Sequence, residues 1–260
     1  LLANKIESND EVIVPCLSFV GTVNAVSYCN AIPHFVDIEE KTLGIDPDKL
    51  DKWLSKTTII KRGSLYNIKT RRKINAIIPV HVFGNPCKIQ EISKIAKKYK
   101  LKVIEDSADT IGYTINKKHT GKYSDITTNS FYASHIINGA GTGGIVCFND
   151  YKLYEKAKLL RGWGRSSAIF NESENASKRF NVKISGIDYD AKYIFSDLGY
   201  NFLPSEISAA FALEQLKKLK KNIYIRNKNF DYLKKFFGKY KDLFKLPEQN
   251  NNVKTPWLAF

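Results

Sequence analysis

Short apolar runs of strand length alternate along this chain with stretches whose apolar residues recur at helical spacing. Glu11-Val12-Ile13-Val14-Pro15 reads as a short strand stopped by a proline. Val20 to Asn30 is mostly small and apolar and reads as a helix packed closely on a sheet, and Ile32 to Ile38 is the next strand. Asp46-Pro47-Asp48 then caps a helix through Leu54, because a carboxylate there accepts the unpaired amides of the first turn. The basic segment Lys56 to Lys73 reads as an exposed loop or insertion.

The clearest unit starts at Ala76. Ala76 to Phe83 is an apolar run closed by Gly84-Asn85-Pro86, which predicts a buried strand and turn. Ile89, Ile92, Ile95, Ala96 and Tyr99 recur at helical spacing with lysines on the other face. Leu101 to Asp106 is a strand again. Strand, helix and strand at this length predict a right-handed parallel crossover. Its last strand delivers Asp106 to the carboxyl edge of the sheet, where α/β enzymes hold their ligands.

Gly112 to Ile115 and Asn116-Lys117-Lys118 suggest a strand and turn. Next comes the stretch around which the chain is organised, Ser130 to Gly144: a strand, a polar turn bearing His135, a glycine-rich bend, and a second strand from Ile145 to Phe148. Asn149-Asp150 caps a helix ending near Gly162, and Ser166 to Lys183 reads as a polar excursion. Pro204 opens a helix through Leu219, a second helix runs from Ile223 to Phe237, and Trp257 to Phe260 looks like the start of a strand. The pattern predicts an α/β domain with a mainly parallel sheet over residues 1–221, followed by the start of a smaller C-terminal domain at 222–260.

Composition changes this picture little. The 260 residues are 43% hydrophobic, enough for one large core. No apolar run reaches the length of about 18 that a transmembrane helix needs. The N-terminus lacks the regions of a signal peptide and methionine is absent throughout, so a fragment is expected. Cys16, Cys29, Cys87 and Cys147 show no metal-ligand spacing and read as buried small hydrophobes in a reducing compartment, the cytoplasm. The balance of 41 Lys+Arg against 26 Asp+Glu raises a nucleic-acid partner. The lysines are spread along helices, however, and no zinc-finger, RNP or helix-turn-helix signature appears, so a solvated basic surface with no nucleic acid and no membrane is expected.

Asp106, Ser130 and His135 fall on loops at one edge of one sheet. The chain has no GxSxG elbow, no Walker A loop and no GxGxxG. An ordered set of segments resembles the DegT/StrS-type sugar aminotransferases, pyridoxal-phosphate (PLP) enzymes of the aspartate-aminotransferase fold. The set comprises Asp10 to Pro15, Phe35-Val36-Asp37, Ile45-Asp46-Pro47, Ile78-Pro79-Val80-His81 with Gly84-Asn85-Pro86, Glu105-Asp106-Ser107-Ala108, Ser130-Phe131-Tyr132, Gly143-Gly144 and Gly199-Tyr200-Asn201.

The resemblance implies roles by position. Asp106 pairs with the cofactor's pyridine nitrogen and keeps it protonated; a turn or helix-cap aspartate is the competing reading. Ser130 hydrogen-bonds the phosphate, against a plain strand serine. Phe19 matches the aromatic position over the ring, with core packing an equal reading. Asn201 reaches the phosphate in the neighbouring subunit of a homodimer. Asp109 stands near the ring where many relatives have Gln or Glu. The family's upstream Gly-Ser turn, which also holds the phosphate, is missing from the chain.

His135 is the departure. Aminotransferases of the family carry lysine five residues after the serine, and lysine holds PLP covalently. Imidazole has no primary amine. A branch that carries histidine here comprises the 3-dehydratases of 4-keto-6-deoxy sugar nucleotides, in which it serves as the base. One kind holds an iron–sulfur cluster through cysteines after a Trp-Gly-Arg segment. Here Trp163-Gly164-Arg165 is followed by Ser166, Ser167 and Ser173 and by no cysteine, so no metal is expected. The expected function is therefore a PLP/PMP-dependent sugar-nucleotide 3-dehydratase in polysaccharide or deoxysugar biosynthesis, with glutamate as amino donor. A sugar aminotransferase, a non-catalytic relative and a basic nucleic-acid-binding protein are the competing readings.

Overall fold

A computed structural model of the chain describes residues 1–170 and 175–260. The chain divides into two compact units, one of Leu1, residues 6–149 and residues 206–260, the other of residues 2–5 and 150–205.

The first unit contains β1 (Glu11–Pro15), α1 (Val20–Tyr28), β2 (Ile32–Val36), α2 (Pro47–Thr57), β3 (Thr58–Lys61), β4 (Ser64–Asn67), β5 (Lys73–Ile77), α3 (Ile89–Lys98), β6 (Lys102–Asp106), β7 (Thr114–Ile115), β8 (Lys118–His119), β9 (Ile126–Ser130) and β10 (Gly144–Phe148). The second holds α4 (Tyr151–Arg161), α5 (Ala176–Arg179), β11 (Val182–Ile184) and β12 (Ile187–Tyr189). The chain then returns to the first unit with α6 (Glu206–Phe237) and β13 (Val253–Lys254).

The central sheet has the order β10-β9-β6-β5-β1-β2. Five of these strands run parallel and β10 antiparallel to β9, so the expected mainly parallel α/β sheet is present. β1 is buried along its whole length: Val12 to Val14 form the continuous apolar run expected in a sheet covered on both faces, and buried Glu11 accepts from Asn67 and Thr70. α2 and α3 lay Leu50, Leu54, Ile89, Ile92 and Ala96 into one core with Ile13, Ile74, Ile77 and Val103. Each leucine, isoleucine or valine side chain among them contributes roughly 1.5–3 kcal/mol on burial. Asp46 caps α2 by accepting from the amides of Asp48 and Lys49.

Several expectations are corrected. The basic segment 56–73 is not a loop: β3 and β4 form a hairpin, and β4 adds to β5. β5 begins at Lys73 and ends at Ile77, so Ile78 to Phe83 lies beyond the strand. One continuous helix, α6, replaces the two expected after Pro204. Trp257 does not start a strand: its φ is +44° and its ring stacks on Phe230 at 3.8 Å. Only Cys87 of the four cysteines is buried; Cys16 and Cys147 are exposed. In the excursion 166–183, α5 and β11 appear, while Ser173 lies outside the described residues. Among the described residues no helix is long and apolar enough to cross a membrane.

Candidate active site

The parallel strands set the site. β6 and β9 pair with Asp106 opposite Thr128, so the ends of both strands reach the same edge of the sheet. β1 also ends there, and residues 16–19 connect it to the first turn of α1. Asp106 is held on both oxygens. The Thr22 hydroxyl donates to Oδ2 at 2.6 Å and the Ala108 amide donates to Oδ1 at 3.1 Å. Its own amide donates to the Pro79 carbonyl, and its carbonyl accepts from the His81 amide.

Asp109 stands on the loop that follows. Its Oδ2 accepts from the Phe83 amide at 3.2 Å, and its Oδ1 lies 3.6 Å from Nδ1 of His135. Burial pushes the Asp109 carboxyl up; His135 pulls it down, neighbouring Asp106 adds to the rise, and the Phe83 amide opposes it. The Asn129 side chain ties this loop to β9 by donating to the carbonyls of Ser107 and Thr110.

His135 sits in the turn between β9 and β10. Its amide donates to the Tyr132 carbonyl, and its ring meets that of Tyr132 edge-on at 6.3 Å. Nδ1 is shielded from solvent and has no hydrogen-bond partner. Buried Ile136 and Ile137 anchor the turn. The Gly139 amide donates to the Phe131 carbonyl, and the Phe131 amide to the Gly143 carbonyl. A Cβ at Gly139 would meet the Thr142 carbonyl oxygen at 2.3 Å, and Gly143 has φ +117°, so both positions require glycine.

Ser130 ends β9, and its Oγ accepts from the Tyr132 amide at 3.2 Å, which leaves its O–H to donate. Phe19 precedes α1 and is 79% exposed, so it is not a core residue within this chain. The structure thus brings Asp106, Asp109 and His135 together and places Ser130 and Phe19 on elements that reach the same edge. Asn201 belongs to the second unit, where it is exposed and bridges to Gly162.

Two features escaped sequence reasoning. Thr22 touches Asp106 across 84 positions of chain, which no local pattern signals. Behind Asp106, fully buried Glu105 accepts at Oε1 from His81 Nε2 at 3.0 Å, from the Ser107 hydroxyl at 2.7 Å and from the Tyr113 hydroxyl at 2.8 Å. The Cys87 amide donates to His81 Nδ1, so the ring proton resides on Nε2. Burial opposes ionisation of Glu105, yet these bonds outweigh it and hold the carboxyl down at about 2.

A family model, the DegT/DnrJ/EryC1/StrS aminotransferase family, matches residues 1–260. The chain is 32% identical over 258 residues to the lipopolysaccharide biosynthesis protein RfbH of Salmonella typhimurium, covering 98% of this chain and 55% of that protein. It is 31% identical over 259 residues to GDP-perosamine synthase of Caulobacter vibrioides, covering 100% and 57%. The chain thus spans a little over half the length of these relatives. Among solved structures, E. coli GDP-4-keto-6-deoxy-D-mannose-3-dehydratase with bound hydrated PLP superposes with a TM-score of 0.73 at 28% identity, covering 98% of this chain and 59% of that one. The expected aspartate-aminotransferase-like fold is therefore the one found. The chain belongs to the DegT/DnrJ/EryC1/StrS aminotransferase family.

Proposed function

We propose that the protein is a PLP/PMP-dependent enzyme of 4-keto-6-deoxy sugar nucleotides that removes the C3 hydroxyl. The observation that carries this reading is His135, set against Asp109, in the turn where the family's aminotransferases place lysine. The likeness to the E. coli 3-dehydratase supports it.

The residues present suit the cofactor. Asp106 offers a carboxylate with lone pairs beyond the two its neighbours use. Ser130 offers a hydroxyl proton at a strand end, Phe19 an exposed ring, and His135 an imidazole whose Nδ1 faces Asp109. When bound, the cofactor supplies a protonated pyridine ring that withdraws electrons from the reacting carbon and, as PMP, an amine for the keto sugar. Asp106 keeps the proton on the pyridine nitrogen, Ser130 donates to the phosphate, and Phe19 covers one face of the ring. His135 has Asp109 on its Nδ1 side, so Nε2 is the nitrogen that takes the proton. Asp109 then faces the imidazolium that forms and stabilises it. With histidine at position 135, the chain has no primary amine there that would hold the cofactor covalently. The net change converts the sugar nucleotide and glutamate into a sugar one oxygen lighter, 2-oxoglutarate and ammonia.

The GDP-perosamine synthase relative favours a second reading, amination at C4. Incubation with PLP, glutamate and GDP-4-keto-6-deoxymannose separates the two. Ammonia and a 3-deoxy-4-keto sugar are expected by mass spectrometry. A stable 4-amino sugar that keeps its C3 hydroxyl would overturn dehydration in favour of transamination.

The active unit is proposed to be a homodimer in which Asn201 of one copy reaches the phosphate held in the other. Mixing Asn201→Ala with Asp106→Ala, each inactive alone, is expected to restore part of the activity, because one hybrid site then carries both native residues. No recovery despite verified subunit exchange counts against the shared site.

A further inference from the structure

We infer that Thr22 is a positioning residue for Asp106, fixing and stabilising the carboxylate that meets the cofactor's ring nitrogen; this rests on the cofactor reading above. Thr22 is 7% exposed and lies in the first turn of α1, and its hydroxyl donates to Asp106 Oδ2 at 2.6 Å. That length is typical of an O–H donor facing a charged oxygen. A hydroxyl has one proton, and here it points at Asp106. Threonine inside a helix often bonds instead to the carbonyl four residues back, but that residue is Ser18, outside α1. Branching at Cβ limits the side chain to few rotamers, so the donor is held in place. The bond also couples two loops at the sheet edge, because Phe19 stands just before the same turn. The remaining donor on Asp106, the Ala108 amide, lies on the chain that leaves β6. Asp106 is thus gripped from both sides, with lone pairs left for a third donor.

The test uses Thr22→Val, which keeps the shape and removes the hydroxyl, and Thr22→Ser, which keeps the hydroxyl. PLP affinity is read by absorbance and fluorescence titration, along with the pH dependence of the bound cofactor's absorption. Circular dichroism reports the fold. Thr22→Val is expected to weaken PLP binding about 10- to 100-fold, the scale of one hydrogen bond to a charged group, and to shift the pH response of the absorption band. Thr22→Ser is expected to stay within about threefold of the unaltered protein and to restore the band. If Thr22→Val loses its native circular dichroism, Thr22→Ala is read in its place. Unchanged affinity without the hydroxyl, or a serine variant as weak as the valine one, overturns the role. Asp106→Asn separates this from failure of the cofactor reading. If it binds PLP as well as the unaltered protein, the cofactor reading is wrong. If it binds weakly while Thr22→Val does not, only the role of Thr22 is lost.

Discussion

Replacing His135 with asparagine is expected to lower the rate of sugar deoxygenation by about 10²- to 10⁴-fold, the usual contribution of a positioned base. Asparagine is polar and of similar reach, but it takes up no proton near neutral pH. The turn should survive the change. Its anchors are Ile136 and Ile137 and the backbone bonds around Phe131, not the imidazole. Nδ1 of His135 makes no hydrogen bond that the substitution could break. PLP affinity is therefore expected to remain within a few-fold, since Asp106 and Ser130 are untouched. The measurement is single-turnover product formation with saturating PMP, and a rate within threefold of the unaltered protein would remove His135 from the chemistry. His135→Lys adds a primary amine at the same place. After borohydride treatment and digestion, the lysine variant is expected to carry cofactor mass on the peptide containing position 135, and the native protein none.

Much of this architecture was legible because burial on both faces leaves a simple mark. β1 and β6 are centred on the buried apolar stretches Val12 to Val14 and Val103-Ile104, and the chain pattern locates both. α3 exposes lysines on one face and buries Ile89, Ile92 and Ala96 on the other, so its period is plain. The failures share a cause, which is structure decided by partners distant in sequence or by backbone alone. Ile59 and Ile60 of β3 are both part-exposed, so the hairpin shows no alternation, and its basic residues read as loop. Pro79 cannot donate to a ladder, so regular β5 stops at Ile77. Yet the apolar run Ile78 to Val80 still pairs on both sides: the Ile78 amide donates to the Ile13 carbonyl, the Pro79 carbonyl accepts from the Asp106 amide, and Val80 bridges to Asp106. Between Leu219 and Ile223 the sequence carries no glycine or proline, and the helix continues. Of the site, Asp106, Asp109 and His135 were readable from the order of motifs, and the fold brings them together. Thr22 and Glu105 make their contacts with Asp106 and with His81, which lie far away in sequence, so no local pattern marks them.

The second large effect is on stability. Glu105→Ala is expected to destabilise the protein by several kcal/mol, because buried donors left without an acceptor cost about 1–3 kcal/mol each. His81 Nε2, the Ser107 hydroxyl and the Tyr113 hydroxyl would all lose their common acceptor inside a site without water access. The carboxyl also makes folding pH-dependent, in a direction that follows from its shift. Its value falls from 4.5 to about 2 in the folded chain. A depressed carboxyl contributes stability that is fully present above pH 4.5 and is lost as pH falls through about 2. At 1.36 kcal/mol per unit this amounts to about 3 kcal/mol. Urea unfolding followed from pH 7 to pH 2.5 should show the decline, and Glu105→Gln, which keeps the volume but cannot titrate, should flatten it. Equal pH slopes in the two proteins would mean that Glu105 is not ionised in the folded state. The functional consequence follows from position. The network joins the loop bearing His81 and Phe83 to the loop bearing Ser107 and Asp109, and Phe83 donates its amide to Asp109. Loosening it is therefore expected to disturb the Asp109–His135 pair before the rest of the sheet edge, so activity should fall in Glu105→Gln even at pH 7, where the variant remains folded.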